Sequence, residues 1–340
     1  MGKIGFIGLG KIGFAIAKNI ITKVSSTDDD DVDGFVHYDI DPESCRRLGE
    51  ETDGKSTMSS SISDLASQCD VVFTALPNDK ILLNVCGVND KDGDDNYTTA
   101  GLISNLGETC IHVSCSTISP ATSRRISTLH TTKGAGFVAA PVFARPDGMA
   151  LGHATIPVSG SHQDHINRIL PLLNLTATEV RTFGSDPGAA NVVKLAGNFL
   201  IASAIESMGE AMALTEGCGV DREAVRSMLT DTIFDCLIYK GYGQRVARRD
   251  HAPYPNAHFA LELGRKDVEL VRSTAADANV PMPIASLLSD RFSCAVAKKR
   301  QDLDWSAIGL QSSEDANVDI TEHLQNCRRP NPQLDWKPPT

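Results

Sequence analysis

Apolar and polar positions alternate in two different rhythms along the chain. From the N-terminus to about Phe183, short apolar runs of strand length are separated by stretches of helical period. "KIGFIG", "GFVHYD", "DVVFTALP", "CIHVSC" and "GFVAAPV" read as strands, and Lys11 to about Lys23, "PESCRRLGE" and "SPATSRRISTLHTT" as helices. Strands that alternate with helices predict an α/β domain built on a doubly wound parallel sheet.

Beyond Phe183 only the helical period remains. Asp186 and Pro187 offer an N-cap and a first helical residue, and the apolar run after them continues to about Glu216, where "GCGVD" ends it. "DREAVRSML", "FALELGRKDVELVRSTAADA" and "PIASLLSDRFSCAVAKKR" follow as further helices, so the C-terminal domain is expected to be all-α. The expected division is a sheet domain over 1–186, a helical domain over 187–310 and a polar, proline-containing tail over 311–340. Two acidic stretches, "SSTDDDDVDG" and "NDKDGDDNY", read as solvated loop insertions. The second has carboxylates at calcium-like spacing but lacks the glutamate that closes an EF-hand loop.

Composition narrows the partners. A formal charge of −11 argues against nucleic acid or an anionic membrane as the main partner and leaves a small-molecule substrate as the expected ligand. Nine cysteines without a CxxC pair read as reduced core thiols, and no cluster of zinc spacing predicts a metal. "MGKIGFIGLG" turns to glycine too early for a signal-peptide core, and no apolar run reaches the ~20 residues that span a bilayer. A cytoplasmic location is expected, with an organellar address left open.

The chemistry begins at "GFIGLGKIG". Gly8, Gly10 and Gly13 form G-x-G-x-x-G between a strand and a helix, where glycine permits a tight turn, close approach of a pyrophosphate and close helix packing. Asp39 ends the next strand and is placed to accept from a ribose hydroxyl; the acidic insertion accounts for the lengthened spacing. These residues predict a Rossmann domain whose cofactor contacts are Gly8, Leu9, Gly10, Lys11, Ile12, Gly13 and Asp39, with Leu76 and Pro77 at the end of "DVVFTALP". A carboxylate at Asp39 repels a 2′-phosphate, so NAD is expected, with NADP the alternative. An ordinary turn-capping role for Asp39 is the competing reading.

One lysine stands inside the apolar "GAANVVKLAGNFLIAS". On a helix Asn191, Lys194 and Asn198 fall at i, i+3 and i+7, one narrow polar stripe. A desolvated lysine can exchange a proton near neutrality, and an interdomain ion pair or a solvated stripe would place a lysine there equally well.

"GFIGLGKIG", "SCSTISP", "GAANVVKLAGN" and "GRKDVEL", in that order up to about Leu310, resemble the β-hydroxyacid dehydrogenases, the group of 3-hydroxyisobutyrate dehydrogenase and the tartronate semialdehyde and glyoxylate reductases, with the 6-phosphogluconate dehydrogenase type of NAD-binding fold. The resemblance implies a Rossmann domain followed by a helical domain, interconversion of a hydroxyacid and its carbonyl form with NAD(P), and a homodimer or homotetramer joined through the helical domain. By resemblance Lys194 is the catalytic lysine, Asn198 its partner and Ser116 a substrate ligand with Thr117 beside it. Lys266, paired with Asp267, reaches cofactor or substrate.

The chain departs from that pattern at "AAPVFARP", where Phe143, Ala144 and Arg145 replace a serine and two glycines. Arg145 offers a planar fork for a carboxylate, its competing reading being a surface arginine. Two other functions remain in view. Imine reductases resemble this family but usually carry Asp or Tyr at the lysine position, and a non-catalytic NAD(H) sensor or scaffold would be expected to lose the lysine.

Overall fold

The structure is a computed structural model that describes residues 2–25, 32–88, 98–252 and 257–327. The calcium-like stretch 89–97 and most of the first acidic insertion lie outside the described residues. The chain divides into two compact units, Met1–Lys194 and Leu195–Thr340, the division falling inside one long helix.

The first unit begins with β1 (Lys3–Ile7), α1 (Lys11–Val24), β2 (Phe35–Tyr38), α2 (Pro42–Glu51), β3 (Ser56–Met58), α3 (Ile62–Gln68) and β4 (Cys69–Thr74). It continues through α4 (Asp79–Cys86), α5 (Leu102–Asn105), β5 (Ile111–Ser114), α6 (Pro120–Thr131), β6 (Gly136–Ala139) and α7 (Pro146–Ala150). These six strands pair in parallel in the order β3-β2-β1-β4-β5-β6, so the winding reverses between β1 and β4. Alternate residues point to opposite faces: Ile4, Phe6, Val71 and Phe73 enter one core, and Ile7, Val36 and Val72 the other. Burial on both faces is what a parallel sheet with helices on each side requires. The expected Rossmann architecture is therefore present.

Local chemistry sets the helix starts. Asp41 accepts the amides of Glu43 and Ser44 ahead of Pro42, and Ser119 accepts the amide of Thr122 ahead of Pro120, so two proline-opened helices are capped by side chains. A separate parallel pair, β7 (Ala154–Val158) and β8 (Ala177–Thr182), flanks α8 (Gln163–Asn174). The hydrophobic pattern does not announce it, because β8 presents mostly exposed residues.

The long helix α9 spans Ala189–Gly217, and α10 (Arg222–Thr230), α11 (Leu237–Arg248), α12 (Leu261–Asp277) and α13 (Pro283–Ala297) follow it. Ile205, Met208, Tyr242, Leu288, Phe292 and Trp305 build the core of the second unit. A Cβ on Gly209 would lie 2.8 Å from the Cα of Gly309, so α9 meets the 3₁₀ turn Trp305–Gly309 backbone to backbone.

Three expectations need correction. α9 starts at Ala189, two residues after Pro187; Asp186 accepts the amide of Gly188, as a capping residue would, while its carboxylate also holds Arg124 in a two-pronged ion pair. The segment expected as a tail folds as α14 (Leu310–Asp315) and α15 (Thr321–Cys327), since Leu310, Ile320 and Cys327 are buried in the helical core; residues 328–340 lie outside the described ones. Of nine free cysteines, Cys218, Cys236 and Cys294 are exposed rather than buried, because they sit at solvated positions of the helical unit. α9 is also long and apolar enough by mean hydropathy to cross a membrane, a property that a core helix shares, and half of that window is buried within the protein. Single polar residues, Lys194 and Glu206 among them, interrupt the apolar run and hide that property from a search for unbroken stretches.

Candidate active site

The carboxyl ends of parallel strands collect the predicted residues of the first unit. Across the sheet, β2 runs into Asp39, β1 into Gly8, β4 into Leu76, β5 into Ser116 and β6 into the loop bearing Phe143 and Arg145. Ligands of open α/β sheets bind along this edge, at the reversal of strand order.

Three glycines shape the turn after β1, each for a different reason. Gly8 has φ +89°, and a Cβ there would meet the Ala75 carbonyl oxygen at 2.5 Å. A Cβ on Gly13 would lie 2.0 Å from the Gly8 carbonyl oxygen, so α1 can pack onto β1 only through glycine. Gly10 caps α1 with no side-chain bond, and a Cβ built there meets nothing within 4 Å. That open space before a helix N-terminus fits a pyrophosphate. Lys11 and Ile12 open α1 half-buried beside it, while Leu9 turns inward, 1% exposed.

The Asp39 carboxylate does structural work. One oxygen accepts the amide of Leu9 and the other the amide of Asp41, the second at 2.8 Å, so Asp39 ties the glycine turn to the end of β2. A carboxylate oxygen has capacity for a further donor, and the turn-capping role and a ribose contact are compatible. Nearby arginines are committed elsewhere. Arg46 is held between Glu43 and Glu50, and Arg47 lies over the Phe14 ring at 3.9 Å.

Ser116 is buried, and its Oγ accepts the amide of Leu76 at 2.8 Å, which joins the loops after β4 and β5. Leu76 and Thr117 are half-buried and Pro77 is exposed. Burial pushes the neighbouring Cys115 thiol up to about 12, which leaves it unreactive as a nucleophile.

The stripe on α9 is buried as one face, but its members have separate partners. Asn191 accepts the Ser123 hydroxyl at 2.7 Å and donates to the Ser116 carbonyl at 3.5 Å, so it anchors the helix rather than facing a ligand. Lys194 is 8% exposed, with its Nζ 4.2 Å from the centre of the Phe143 ring. Arg145 opens α7 and pairs with Asp147 at 3.1 Å, its side chain about one-quarter exposed. Asn19 of α1 holds the other end of α7 by donating to the Met149 carbonyl. In the second unit Asn198 donates to Asp267 at 2.6 Å, and Lys266 pairs with the other oxygen of that carboxylate at 2.9 Å. Asp267 is 1% exposed and is the link between Asn198 and Lys266 that periodicity alone does not reveal. Among the described residues no group of three or more His, Cys, Asp or Glu is arranged to hold a metal ion.

Known proteins match both parts. The NAD-binding domain of 6-phosphogluconate dehydrogenase matches residues 3–184, and the NAD-binding region of NADP-dependent 3-hydroxyisobutyrate dehydrogenase matches 188–309. The uncharacterized oxidoreductase YfjR of Bacillus subtilis is 29% identical over 310 residues, covering 90% of this chain and 98% of its own. Human mitochondrial 3-hydroxyisobutyrate dehydrogenase is 25% identical over 310 residues, 90% of this chain and 85% of the relative. A crystal structure of 3-hydroxyisobutyrate dehydrogenase from Salmonella typhimurium superposes with a TM-score of 0.76 at 23% identity, covering 92% of this chain and all of the other, a likeness of fold.

Proposed function

The chain belongs to the β-hydroxyacid dehydrogenase family, and from that premise we propose that it interconverts a small β-hydroxyacid and its semialdehyde or keto-acid with NAD(H), Lys194 exchanging the proton. It is an NAD(P)-dependent oxidoreductase of hydroxyacids. The observation that carries the finer reading is Lys194: a buried ammonium one helical turn from a buried asparagine, within a mainly apolar stretch of α9.

When bound, the nicotinamide supplies or accepts a hydride. The glycine turn, with Asp39 at its side, would hold the dinucleotide. Lys194 gives a proton to the carbonyl oxygen in reduction and takes the hydroxyl proton in oxidation. Asn198, fixed by Asp267, orients a reacting oxygen, and Lys266 reaches cofactor or substrate. The commitment of Arg46 and Arg47 to other partners, together with the Asp39 carboxylate, supports NAD over NADP. Ser116 and Thr117 line the substrate's acid end, and Arg145 adds a charge-assisted bond to its carboxylate. Met228, Ile233 and Leu237 are exposed on the helical unit and support assembly of copies through it.

A panel of small hydroxyacids with NAD, and of semialdehydes and keto-acids with NADH, tests this reading. Turnover of at least one pair is expected. Arg145→Ala should raise KM for the acidic substrate about tenfold to a hundredfold, the weight of a bond of about 1.5 to 3 kcal/mol. No turnover across the panel, with cofactor bound, would return the chain to the sensor reading.

A further inference from the structure

We propose that Phe143 is the positioning residue for Lys194 and, with it, a determinant of which substrates fit; this rests on the reading of Lys194 as the acid/base. The ring centre lies 4.2 Å from the Lys194 Nζ, inside the distance at which an aromatic face attracts an ammonium. A lysine that is 8% exposed has lost most of its water, and the ring face returns part of that stabilisation without competing for the proton. A hydroxyl or carboxylate there would compete, because each accepts hydrogen bonds from the ammonium.

The backbone fixes the ring. Phe143 and Thr155 exchange both amide bonds in an isolated antiparallel bridge, N to O 2.9 Å in one direction and 3.0 Å in the other. That bridge pins the loop after β6 against β7, so the ring projects from a held point rather than a free loop. The bridge also commits the Phe143 amide to Thr155, which removes this N–H as a donor to a substrate carboxylate. Recognition of the acid group on this side therefore passes to side chains, with Arg145 two residues on. A phenyl ring occupies volume that a serine would leave open. The structure thus favours substrates with a small or flat substituent next to the reacting carbon and disfavours those that would place a polar or branched group against the ring.

The test is a double-mutant cycle of Phe143→Leu and Lys194→Met, with Phe143→Tyr as the conservative variant, on the substrate found in the panel. Phe143→Leu should lower kcat about fivefold to twentyfold with NADH affinity unchanged, and Phe143→Tyr should recover it to within about threefold. In the Lys194→Met background the same Leu substitution should lower kcat less than twofold, because its effect passes through the lysine. Phe143→Ser should lower KM for substrates with a branched or polar α-substituent relative to the small one. An equal loss from Phe143→Leu with and without Lys194, or a tyrosine variant as poor as leucine, would overturn the proposal. Full kcat in Lys194→Met alone would instead overturn the acid/base reading on which it rests.

Discussion

The glycine turn after β1 and the polar stripe on α9 reach function by opposite means. The turn is specified by what is missing: a Cβ on Gly13 would lie 2.0 Å from a backbone oxygen, and Gly8 takes a positive φ. The stripe is specified by what is added, three polar side chains whose partners come from distant parts of the sequence. Asn191 reaches Ser123 and Ser116, Lys194 meets Phe143, and Asn198 binds Asp267. Backbone constraint writes itself into local sequence, whereas side-chain partnership does not.

Glycine substitutions separate the two largest consequences. Gly13→Ala forces backbone to move and should destabilise the fold by about 1 to 3 kcal/mol, read as a lowered Tm and weakened NADH binding together. Gly10→Ala should leave Tm within a degree or two and still cost about tenfold or more in NADH affinity, since its Cβ enters open space where the cofactor would lie. Parallel losses of Tm in both variants would erase the distinction. Next in size is the cofactor choice: Asp39→Ala should reduce kcat/KM for NAD about tenfold and for NADP less, moving the ratio toward NADP. An unchanged ratio would leave Asp39 only its bonds to Leu9 and Asp41.

Much of the first unit was legible because parallel strands buried on both faces are continuous apolar runs, and G-x-G-x-x-G sits where β1 becomes α1. The pair β7 and β8 was not, as β8 lacks an apolar face. Residues 311–327 read as a tail because they run into the proline-rich, polar end of the chain, yet Gln311, Ser312 and Ser313 are buried in the fold. At the site, position and residue type identified Lys194 and Phe143 separately. Their contact depends on a chain reversal through β6 and β7, which no spacing encodes.

The smallest effect concerns what stands behind the turn. Thr74, at the end of β4, bonds His112, which bonds His130, which bonds the Ile126 carbonyl. Burial lowers both histidines, His130 to about 4 and His112 well below its ordinary value, the latter also repelled by His130. Unfolded histidines titrate near 6.5, so the unfolded chain binds more protons between that pH and about 4. Stability is fully present above pH 6.5 and declines as pH falls through this window. Tm of the wild type should drop on acidification, and His130→Leu should flatten the slope. Equal slopes would detach the pair from acid stability.

The most direct test of the central claim is kcat of Lys194→Met on the substrate identified in the panel, measured with NADH affinity on the same folded sample. Methionine keeps the length and apolar character of the stem and deletes the exchangeable proton. A fall in kcat of about 10²-fold to 10⁴-fold with NADH affinity within about twofold is expected for a positioned acid/base. A folded variant that turns over at the wild-type rate would contradict the account.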